Sequence, residues 1–391
     1  MTSALRVLHM LNTLRRNETS TCTWPTRSIS PEAGRSARPT SGRRAVAGAQ
    51  YRDDTADSAH STSAVEKAVS DPNPLNLLAV VGTTRSGSTL LDMLLGDTPA
   101  VFSGGELRTI WEQGYLRGQL CSCGEPIQRC EFWSEVMAKA FGSAGHPDPA
   151  PHQVAEWQRT TLRQRHTRRI ARSVATDPDL AENPKLRDYR QTLLQLYQAI
   201  AAVSGRTWIV DSSKLGSDVA LVGPVPALHT RVIHLTRDPR GVVHSWSRGP
   251  ATSVSPWSVK ASQGTGQSTL GWLRLNASAE IALRSFDRGR VSRLRYEDFA
   301  ADPFVELSRL STELGVPVNE NRIADESVTL ALNHLVGGNS VRFRREVTIR
   351  LDDQWVSAMP RSTKLLIGVA TSPLLLKYGY SLSGPPSRAR R

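Results

Sequence analysis

The chain has few cysteines, few acidic residues and no long apolar run, and each scarcity excludes a class of protein. Only four of its 391 residues are cysteines, which is too few for a disulfide scaffold in a chain of this length. No segment reaches the roughly 18 consecutive apolar residues that a membrane-spanning helix requires. The first residues are interrupted by charged and polar side chains and lack the pattern of a secretory signal peptide. We therefore expect a cytoplasmic protein without stable membrane insertion, whose oligomeric state the sequence does not determine.

Acidic residues number 36 against 49 lysines and arginines, which gives a net charge of +13. A basic balance favours an anionic partner, either a nucleic acid, an anionic surface or a small molecule that carries phosphate. Residues 1–74 contribute +3 and residues 381–391 another +3, so that 75–380 carries +7. Aromatic residues are not interleaved with the basic runs as stacking on single-stranded nucleic acid requires. This disfavours a nucleic-acid partner, although that function stays as an alternative.

The chain divides into three regions. Residues 1–74 are rich in Ser, Thr, Ala, Arg and Pro without helical or strand periodicity, which predicts a disordered extension, with an organelle transit peptide as the alternative. Residues 75–380 are predicted to form one catalytic domain, and 381–391 a disordered basic tail.

Buried apolar runs typical of strands occur at Leu75–Val81, Thr207–Val210, Arg231–Thr236 and Val291–Tyr296. Helical patterns lie between them, at Glu106–Leu116, Phe132–Phe141, Val154–Ala175, Lys185–Val203, Pro239–Trp246, Leu270–Phe286 and Pro303–Leu314. Strands separated by helices predict an α/β fold, in which a P-loop-like parallel sheet is flanked by helices. The helices around 150–205 are predicted to form an insertion or cap.

A glycine-bearing loop follows the first predicted strand. It reads Gly82-Thr-Thr-Arg85-Ser86-Gly87-Ser88-Thr89 and has the glycine spacing of a P-loop, but serine replaces the lysine expected after the second glycine. Backbone N–H groups at the start of a helix attract an anion, so that the loop can still hold a phosphate. The alternative is an ordinary strand-to-helix turn, and the cation at Arg85 favours the phosphate loop.

A second charged segment runs from Arg231 to Trp246 and again predicts a strand, a sharp turn and a helix. Arg237 ends the strand, and Ser245 lies two turns into the helix. Ligand sites of parallel sheets lie at the carboxyl ends of the strands. Arg237 should therefore face the same crevice as the glycine-bearing loop.

Together these segments resemble the sulfotransferases that use 3′-phosphoadenosine 5′-phosphosulfate (PAPS), and the likeness covers most of 75–350. The resemblance implies that Arg85, Ser86, Gly87, Ser88 and Thr89 hold the 5′-phosphosulfate, and that Arg237 and Ser245 hold the 3′-phosphate. The loop is most similar to that of the branch that includes protein-tyrosine sulfotransferases, carbohydrate sulfotransferases and many bacterial enzymes.

Further motifs extend the resemblance. In that branch the loop arginine precedes a catalytic glutamate by about twenty residues, and Glu106 stands at this spacing. Lys214 matches a lysine that follows the next strand, and Tyr296 a tyrosine that contacts the nucleotide. Asn339 and Arg342 lie in a segment that resembles the family's late glycine-containing segment, which closes over the nucleotide.

The resemblance implies sulfuryl transfer in line from PAPS to a hydroxyl, with Glu106 as the base and no metal. Arg85 and Lys214 are the cations that stabilise the transferred group and the leaving phosphate, because such transfers rely on positioning and on charge stabilisation. A helix-terminal glutamate and a surface lysine are the structural alternatives for Glu106 and Lys214. The alternative function is a P-loop kinase that has lost its loop lysine, with Asp211 holding Mg²⁺.

Two other features have structural explanations. Cys121, Cys123 and Cys130 have no nearby histidine at a familiar spacing, so that a structural element is favoured over zinc. The arginines of 159–172 favour a solvated helix face over a surface that attracts an anionic acceptor. The serine- and glycine-rich segment Val254–Gly266 is predicted to be a mobile gate. Nothing in the sequence identifies the acceptor, for which a small hydroxylated metabolite or a carbohydrate is the hypothesis.

Overall fold

A computed structural model describes residues 74–176, 180, 183–223, 225–248, 263–319, 327–331 and 333–384. All of them lie in one structural unit, Ser61–Arg391. The predictions for residues 1–73, for the tail beyond residue 384 and for most of the gate concern residues outside this description.

The central sheet has five parallel strands. They are β1 (Leu75–Gly82), β2 (Val101–Ser103), β3 (Trp208–Lys214), β4 (Leu228–Thr236) and β5 (Val291–Arg295). Their order across the sheet is β2-β3-β1-β4-β5, which places β1 at the centre. Two short antiparallel strands, β6 (Ser327–Thr329) and β7 (Glu346–Thr348), form a separate ribbon.

Helices cover the sheet. They are α1 (Ser88–Gly96), α2 (Glu131–Phe141), α3 (Pro151–Thr161), α4 (Thr167–Thr176), α5 (Pro184–Ser204), α6 (Gly216–Val222), α7 (Pro239–Ser247), α8 (Thr265–Leu283), α9 (Tyr296–Ala301), α10 (Pro303–Leu314), α11 (Trp355–Ala358) and α12 (Arg361–Lys377). Among the described residues no helix combines the length and the apolar character needed to cross a bilayer.

Both faces of the sheet are buried, as β1 shows. Leu77 and Val81 belong to a core shared with α2–α6, whereas Leu78 and Val80 belong to a second core shared with α1 and α10. Side chains alternate between the two faces of a strand, so that a continuous apolar run is buried on both sides. The predicted α/β fold is confirmed, and the helical insertion packs on one face of the sheet.

Some predicted elements differ from the structure. The prediction of one continuous helix over Val154–Ala175 is wrong, because the structure has two helices, α3 and α4. The first ends before Leu162, which is buried and whose carbonyl oxygen accepts a hydrogen bond from Ser217 Oγ. The helix expected over Glu106–Leu116 is a 3₁₀ turn followed by a π-helical turn. The arginines at 159, 163, 165, 168, 169 and 172 are all exposed, which confirms a solvated face.

Residues 381–384, the first four of the predicted tail, contact the folded domain. The carbonyl oxygens of Ser381 and Leu382 accept hydrogen bonds from the buried Arg240 guanidinium at 2.8 and 3.0 Å. These bonds join the end of the described chain to α7, the helix that follows Arg237.

Candidate active site

The predicted site residues follow the carboxyl ends of the five parallel strands. In sheet order, Glu106 follows β2, Lys214 ends β3, Arg85 follows β1, Arg237 follows β4 and Tyr296 follows β5. Parallel strands all end at the same edge of the sheet, which is where α/β proteins bind ligands. The fold therefore brings charged groups that are far apart in sequence into one row.

The glycine-bearing loop occupies the centre of this row and needs its glycines. A Cβ on Gly82 would lie 2.1 Å from the carbonyl oxygen of Leu235 on the neighbouring strand. Gly87 has φ +88°, and a Cβ there would lie 2.6 Å from the ring of Tyr296. The loop thus lies directly against β4 and Tyr296, with no room for a side chain at either glycine.

The loop side chains have different surroundings. Arg85 has φ +65° and lies 5.1 Å from the ring centroid of Trp246. Burial and the positive charges of Arg248 and Arg237 lower the pKa of Arg85. The Ser86 hydroxyl is buried and donates to the carbonyl oxygen of Thr83 at 2.6 Å, so that it holds the loop together.

Glu106 and Lys214 form an ion pair on one side of the loop. Lys214 Nζ lies 2.5 Å from Glu106 Oε1, and both side chains are largely buried. Lys214 pairs with Val81 across the sheet and has φ +69°, a conformation that costs an ordinary residue energy and is concentrated at functional sites. The structure therefore joins the predicted base to one of the predicted cations, next to the end of β1.

Asp92 on α1, which the sequence patterns did not indicate, is bonded to the strands that lead to this pair. Its carboxylate accepts hydrogen bonds from Ser212 Oγ at 2.6 Å and Ser103 Oγ at 3.2 Å. Burial raises the pKa of Asp92 to about 7, although the two hydroxyls and Lys214 act in the opposite direction. Asp92 thus joins α1 to β2 and β3 beneath the Glu106–Lys214 pair.

Arg237 lies on the other side of the loop and is buried. Its guanidinium donates to the carbonyl oxygen of Arg85 at 2.8 Å and to the Asp352 carboxylate at 3.0 Å, and it stacks 4.2 Å from the centroid of the Tyr296 ring. The Tyr296 hydroxyl accepts the Asp352 N–H at 3.0 Å. Burial alone would raise the pKa of Asp352, but Arg237 and Arg248 hold it below its ordinary value.

The Asp352 carboxylate is therefore the anion bound to Arg237, the residue predicted to bind the 3′-phosphate. The Nε of Arg237 is buried without a hydrogen-bond partner. Gly241 on α7 makes room for this guanidinium, since a Cβ there would lie 3.1 Å from Nε. Ser245, the other predicted ligand, is buried on the same helix.

The segment with Asn339 and Arg342 covers the loop. The Asn339 N–H donates to Thr89 Oγ1 at 3.0 Å, and the carbonyl oxygen of Val336 accepts the Glu106 N–H at 2.7 Å. Arg342 is buried and donates to the carbonyl oxygens of Gly338 and Asn339. Burial lowers the pKa of Arg342 to about 10, and the Glu106 carboxylate partly opposes this.

Asp211, the proposed magnesium ligand of the kinase alternative, is engaged in the core. Its carboxylate accepts hydrogen bonds from Tyr197 Oη at 2.7 Å and Ser213 Oγ at 2.5 Å. Burial raises the pKa of Asp211, which disfavours the charged form that a metal requires. Nothing in the described geometry favours the kinase alternative.

The three cysteines have a partner that their spacing did not reveal. No histidine lies near the cysteines in sequence, but the structure places His334 Nδ1 3.3 Å from Cys130 Sγ and 3.6 Å from Cys121 Sγ. More than two hundred residues separate the histidine from the cysteines, so that no local pattern could find it.

Comparisons with known proteins agree with the motifs. The model for the sulfotransferase family matches residues 134–320. The matched range contains four of the predicted site residues, Lys214, Arg237, Ser245 and Tyr296. Arg85 and Glu106 precede it, and Arg342 follows it. The resemblance to sulfotransferases that the motifs predict is thereby confirmed.

Individual relatives are distant. The chain is 25% identical over 169 residues to carbohydrate sulfotransferase 3 of Homo sapiens, and 27% identical over 168 residues to that of Mus musculus. These alignments cover 40% of this chain and 35% of each relative, so that the chain matches about a third of their length. Among solved structures, the sulfotransferase domain from the Synechococcus PCC 7002 olefin synthase aligns with TM-score 0.46 and 21% identity, over 80% of this chain and 97% of that domain.

Proposed function

We propose that this chain is a sulfotransferase that moves the sulfuryl group of PAPS to a hydroxyl of a small molecule or carbohydrate. The observation that carries the proposal is the row of groups at the strand ends. The Glu106–Lys214 pair lies on one side of the glycine-bearing loop, and Arg237 with Tyr296 lies on the other. One side can serve the reaction and the other can recognise the donor.

The donor would lie across the loop. Backbone N–H groups at the start of α1 face the 5′-phosphosulfate, where the helix dipole adds to their attraction for an anion. The Arg237 guanidinium suits the 3′-phosphate, because a planar fork makes two hydrogen bonds to such a group. In the present structure the Asp352 carboxylate takes that place, so that donor binding must displace it from Arg237.

Glu106 is proposed to remove the proton of the acceptor hydroxyl as its oxygen forms a bond to sulfur. The bond between sulfur and the bridging oxygen of the 5′-phosphate breaks, and that oxygen leaves with the electron pair. Arg85 and Lys214 lie where charge develops on the sulfuryl oxygens and on the leaving phosphate. The Lys214 ammonium group contacts Glu106 directly. As Glu106 takes up the proton and loses its charge, this ammonium group would instead stabilise the transferred sulfuryl group.

The acceptor class is proposed from the names of the relatives and from the chemistry of a carboxylate base. The matched proteins from human and mouse are named carbohydrate sulfotransferases, and a sugar hydroxyl is an acceptor that a positioned carboxylate can deprotonate. A hydroxylated small molecule satisfies the same chemistry. The cytoplasmic location stays a prediction from the sequence.

The variant Glu106→Gln tests the assignment of the base. It keeps the size of the side chain and removes the proton acceptor, and we expect turnover to fall by about 10²- to 10⁴-fold. Binding of 3′-phosphoadenosine 5′-phosphate, measured by calorimetry, should persist. Glu112→Gln is the matched control, because Glu112 forms a partly exposed ion pair with Arg117 nearby. Full turnover in Glu106→Gln would remove Glu106 from the mechanism.

A further inference from the structure

A second cluster of reactive side chains lies outside the proposed active site and is independent of the function proposed for it. Cys121, Cys123, Cys130 and His334 each offer one ligand atom, and these four atoms all lie within 4.8 Å of one another. Cys121 and Cys130 are buried, whereas Cys123 and His334 are partly exposed. None of the described cysteines forms a disulfide.

Three of the six distances between the ligand atoms agree with the edges of a small tetrahedron, and all six lie within 4.8 Å. Cys123 Sγ lies 3.7 Å from Cys130 Sγ, and His334 Nδ1 lies 3.6 Å from Cys121 Sγ and 3.3 Å from Cys130 Sγ. Around zinc, with bonds of about 2.3 Å to sulfur and about 2.0 Å to nitrogen, ideal edges are about 3.8 Å between sulfurs and about 3.5 Å between sulfur and nitrogen. The observed contacts lie within a few tenths of an ångström of these values.

Local backbone geometry brings the three sulfurs together. Gly124 has φ +98° and donates its N–H to the carbonyl oxygen of Cys121 at 2.9 Å, so that a tight turn returns Cys123 toward Cys121. Cys130 lies at the N-terminal cap of α2. A thiolate there is favoured by the positive end of the helix dipole.

His334 is held by its own set of neighbours. Its ring stacks on Phe132 with the centroids 4.7 Å apart, and Phe132 in turn stacks on Phe102 at 4.8 Å. Trp133 Nε1 donates to the carbonyl oxygen of His334 at 3.0 Å. These contacts hold the ring and the backbone of His334 beside the cysteines.

We propose that Cys121, Cys123, Cys130 and His334 bind one zinc ion as a structural site. Three thiolates and an imidazole are the ligands that zinc prefers, and four protein ligands leave no position open for water or substrate. Each thiol releases its proton to solvent on binding, and His334 binds through Nδ1 with its proton on Nε2. The proposal differs from the metal-free element that the cysteine spacing alone favours.

The zinc ion would fix the start of the segment that contains Val336, Asn339 and Arg342 and that contacts Glu106 and the glycine-bearing loop. Two residues after His334, Val336 donates its N–H to the carbonyl oxygen of Gly104 at 2.9 Å and accepts the Glu106 N–H at 2.7 Å. Ser122, between the first two cysteines, accepts the Leu335 N–H at 2.9 Å and donates to the carbonyl oxygen of Asn333. The ion therefore acts as a positioning element, which does not contact the reacting groups.

Metal analysis of the purified full-length chain tests the proposal directly. We expect about one zinc per chain, and X-ray absorption at the zinc edge should show three sulfur neighbours and one nitrogen neighbour. Cobalt exchanged for zinc should give the intense sulfur-to-metal charge-transfer bands of tetrahedral thiolate ligation. These measurements use the unaltered protein and do not depend on its activity.

Variants locate the ion. Cys130→Ser and His334→Ala should each weaken zinc binding at least tenfold in competition with a chelator, whereas Cys22→Ser and the exposed His146→Gln should not. The proposal is overturned if the reduced chain takes up no stoichiometric zinc on reconstitution, or if both ligand variants retain wild-type affinity. A native disulfide between Cys123 and Cys130, seen by mass spectrometry of the unreduced protein, would also overturn it.

Discussion

At the residue scale, backbone strain coincides with the proposed chemistry. Three described residues other than glycine have positive φ, and two of them, Arg85 and Lys214, are predicted catalytic cations. Such a conformation costs about 1–3 kcal/mol and persists only where surrounding contacts enforce it. Arg85 is enforced through its carbonyl oxygen, which binds Arg237, and Lys214 through its ion pair with Glu106.

The contact between Asp352 and Arg237 gives a prediction about donor affinity. Asp352→Asn removes the negative charge that competes with a phosphate for Arg237, so that 3′-phosphoadenosine 5′-phosphate should bind about fivefold more tightly. This corresponds to about 1 kcal/mol, as expected for a partly exposed ion pair. Calorimetric titration measures the change, and the exposed neighbour variant Asp353→Asn is the control. Unchanged or weaker binding would show that Asp352 does not compete with the ligand.

Asp92 gives a prediction about pH. Its folded pKa of about 7 lies above the ordinary value, so that folding favours the protonated carboxyl. The stability it contributes is complete below about pH 4 and is lost as the pH rises through about 7. Asp92→Asn should therefore raise the free energy of unfolding relative to the wild type more at pH 8 than at pH 5. Denaturant titrations at both values check this, with Asp188→Asn on the surface of α5 as the control. An equal effect at both values would contradict the argument.

At the element scale, the connection from β1 to α1 packs closely against its neighbours because its two glycines have no side chain. Gly82 lies against β4 and Gly87 against Tyr296, so that the loop fills the space between two neighbouring strand ends. In the proposed function the loop backbone, rather than any single side chain, would hold the phosphosulfate. A substitution that moves this backbone should affect binding as well as stability.

The variant pair Gly87→Ala and Gly142→Ala separates these effects. Both glycines have positive φ, +88° and +74°, but a Cβ at Gly142 meets nothing within 4 Å, whereas at Gly87 it meets the Tyr296 ring. Gly142→Ala should cost about 1–2 kcal/mol of stability and leave nucleotide binding intact. Gly87→Ala should cost more and also weaken binding at least tenfold. Thermal unfolding and calorimetry measure both, and equal binding in the two variants would argue against a phosphate loop.

How far the sequence predicts the molecule also depends on the element. Long apolar runs such as β1 and β4 are predicted well, because burial on both faces needs a continuous run. The three-residue β2 carries too little pattern, although it places Glu106 in the row. Asp92 and the ion pair of Arg237 with Asp352 were missed because they depend on distant elements meeting, and the same reason hides His334 from the cysteines.

At the scale of the whole molecule, the net positive charge identifies the binding partner only when the positions of the charged residues are known. The chain carries +13, but the cations of the site are few and occupy the strand ends, where Asp352 and Glu106 oppose them. The exposed arginines of α3 and α4 lie on helix faces that are solvated. A site that balances cations against carboxylates fits a small polyanionic nucleotide better than a long polyanion.

Transfer from sulfur-labelled PAPS tests the central claim most directly. The full-length chain, incubated with an extract of metabolites and glycans and without added magnesium, should move label into a hydroxylated acceptor. It should release 3′-phosphoadenosine 5′-phosphate in equal amount, and Glu106→Gln should slow both by about 10²- to 10⁴-fold. Magnesium-dependent hydrolysis of ATP that the 3′-phosphorylated nucleotide does not inhibit, with no transfer of label, would contradict the account.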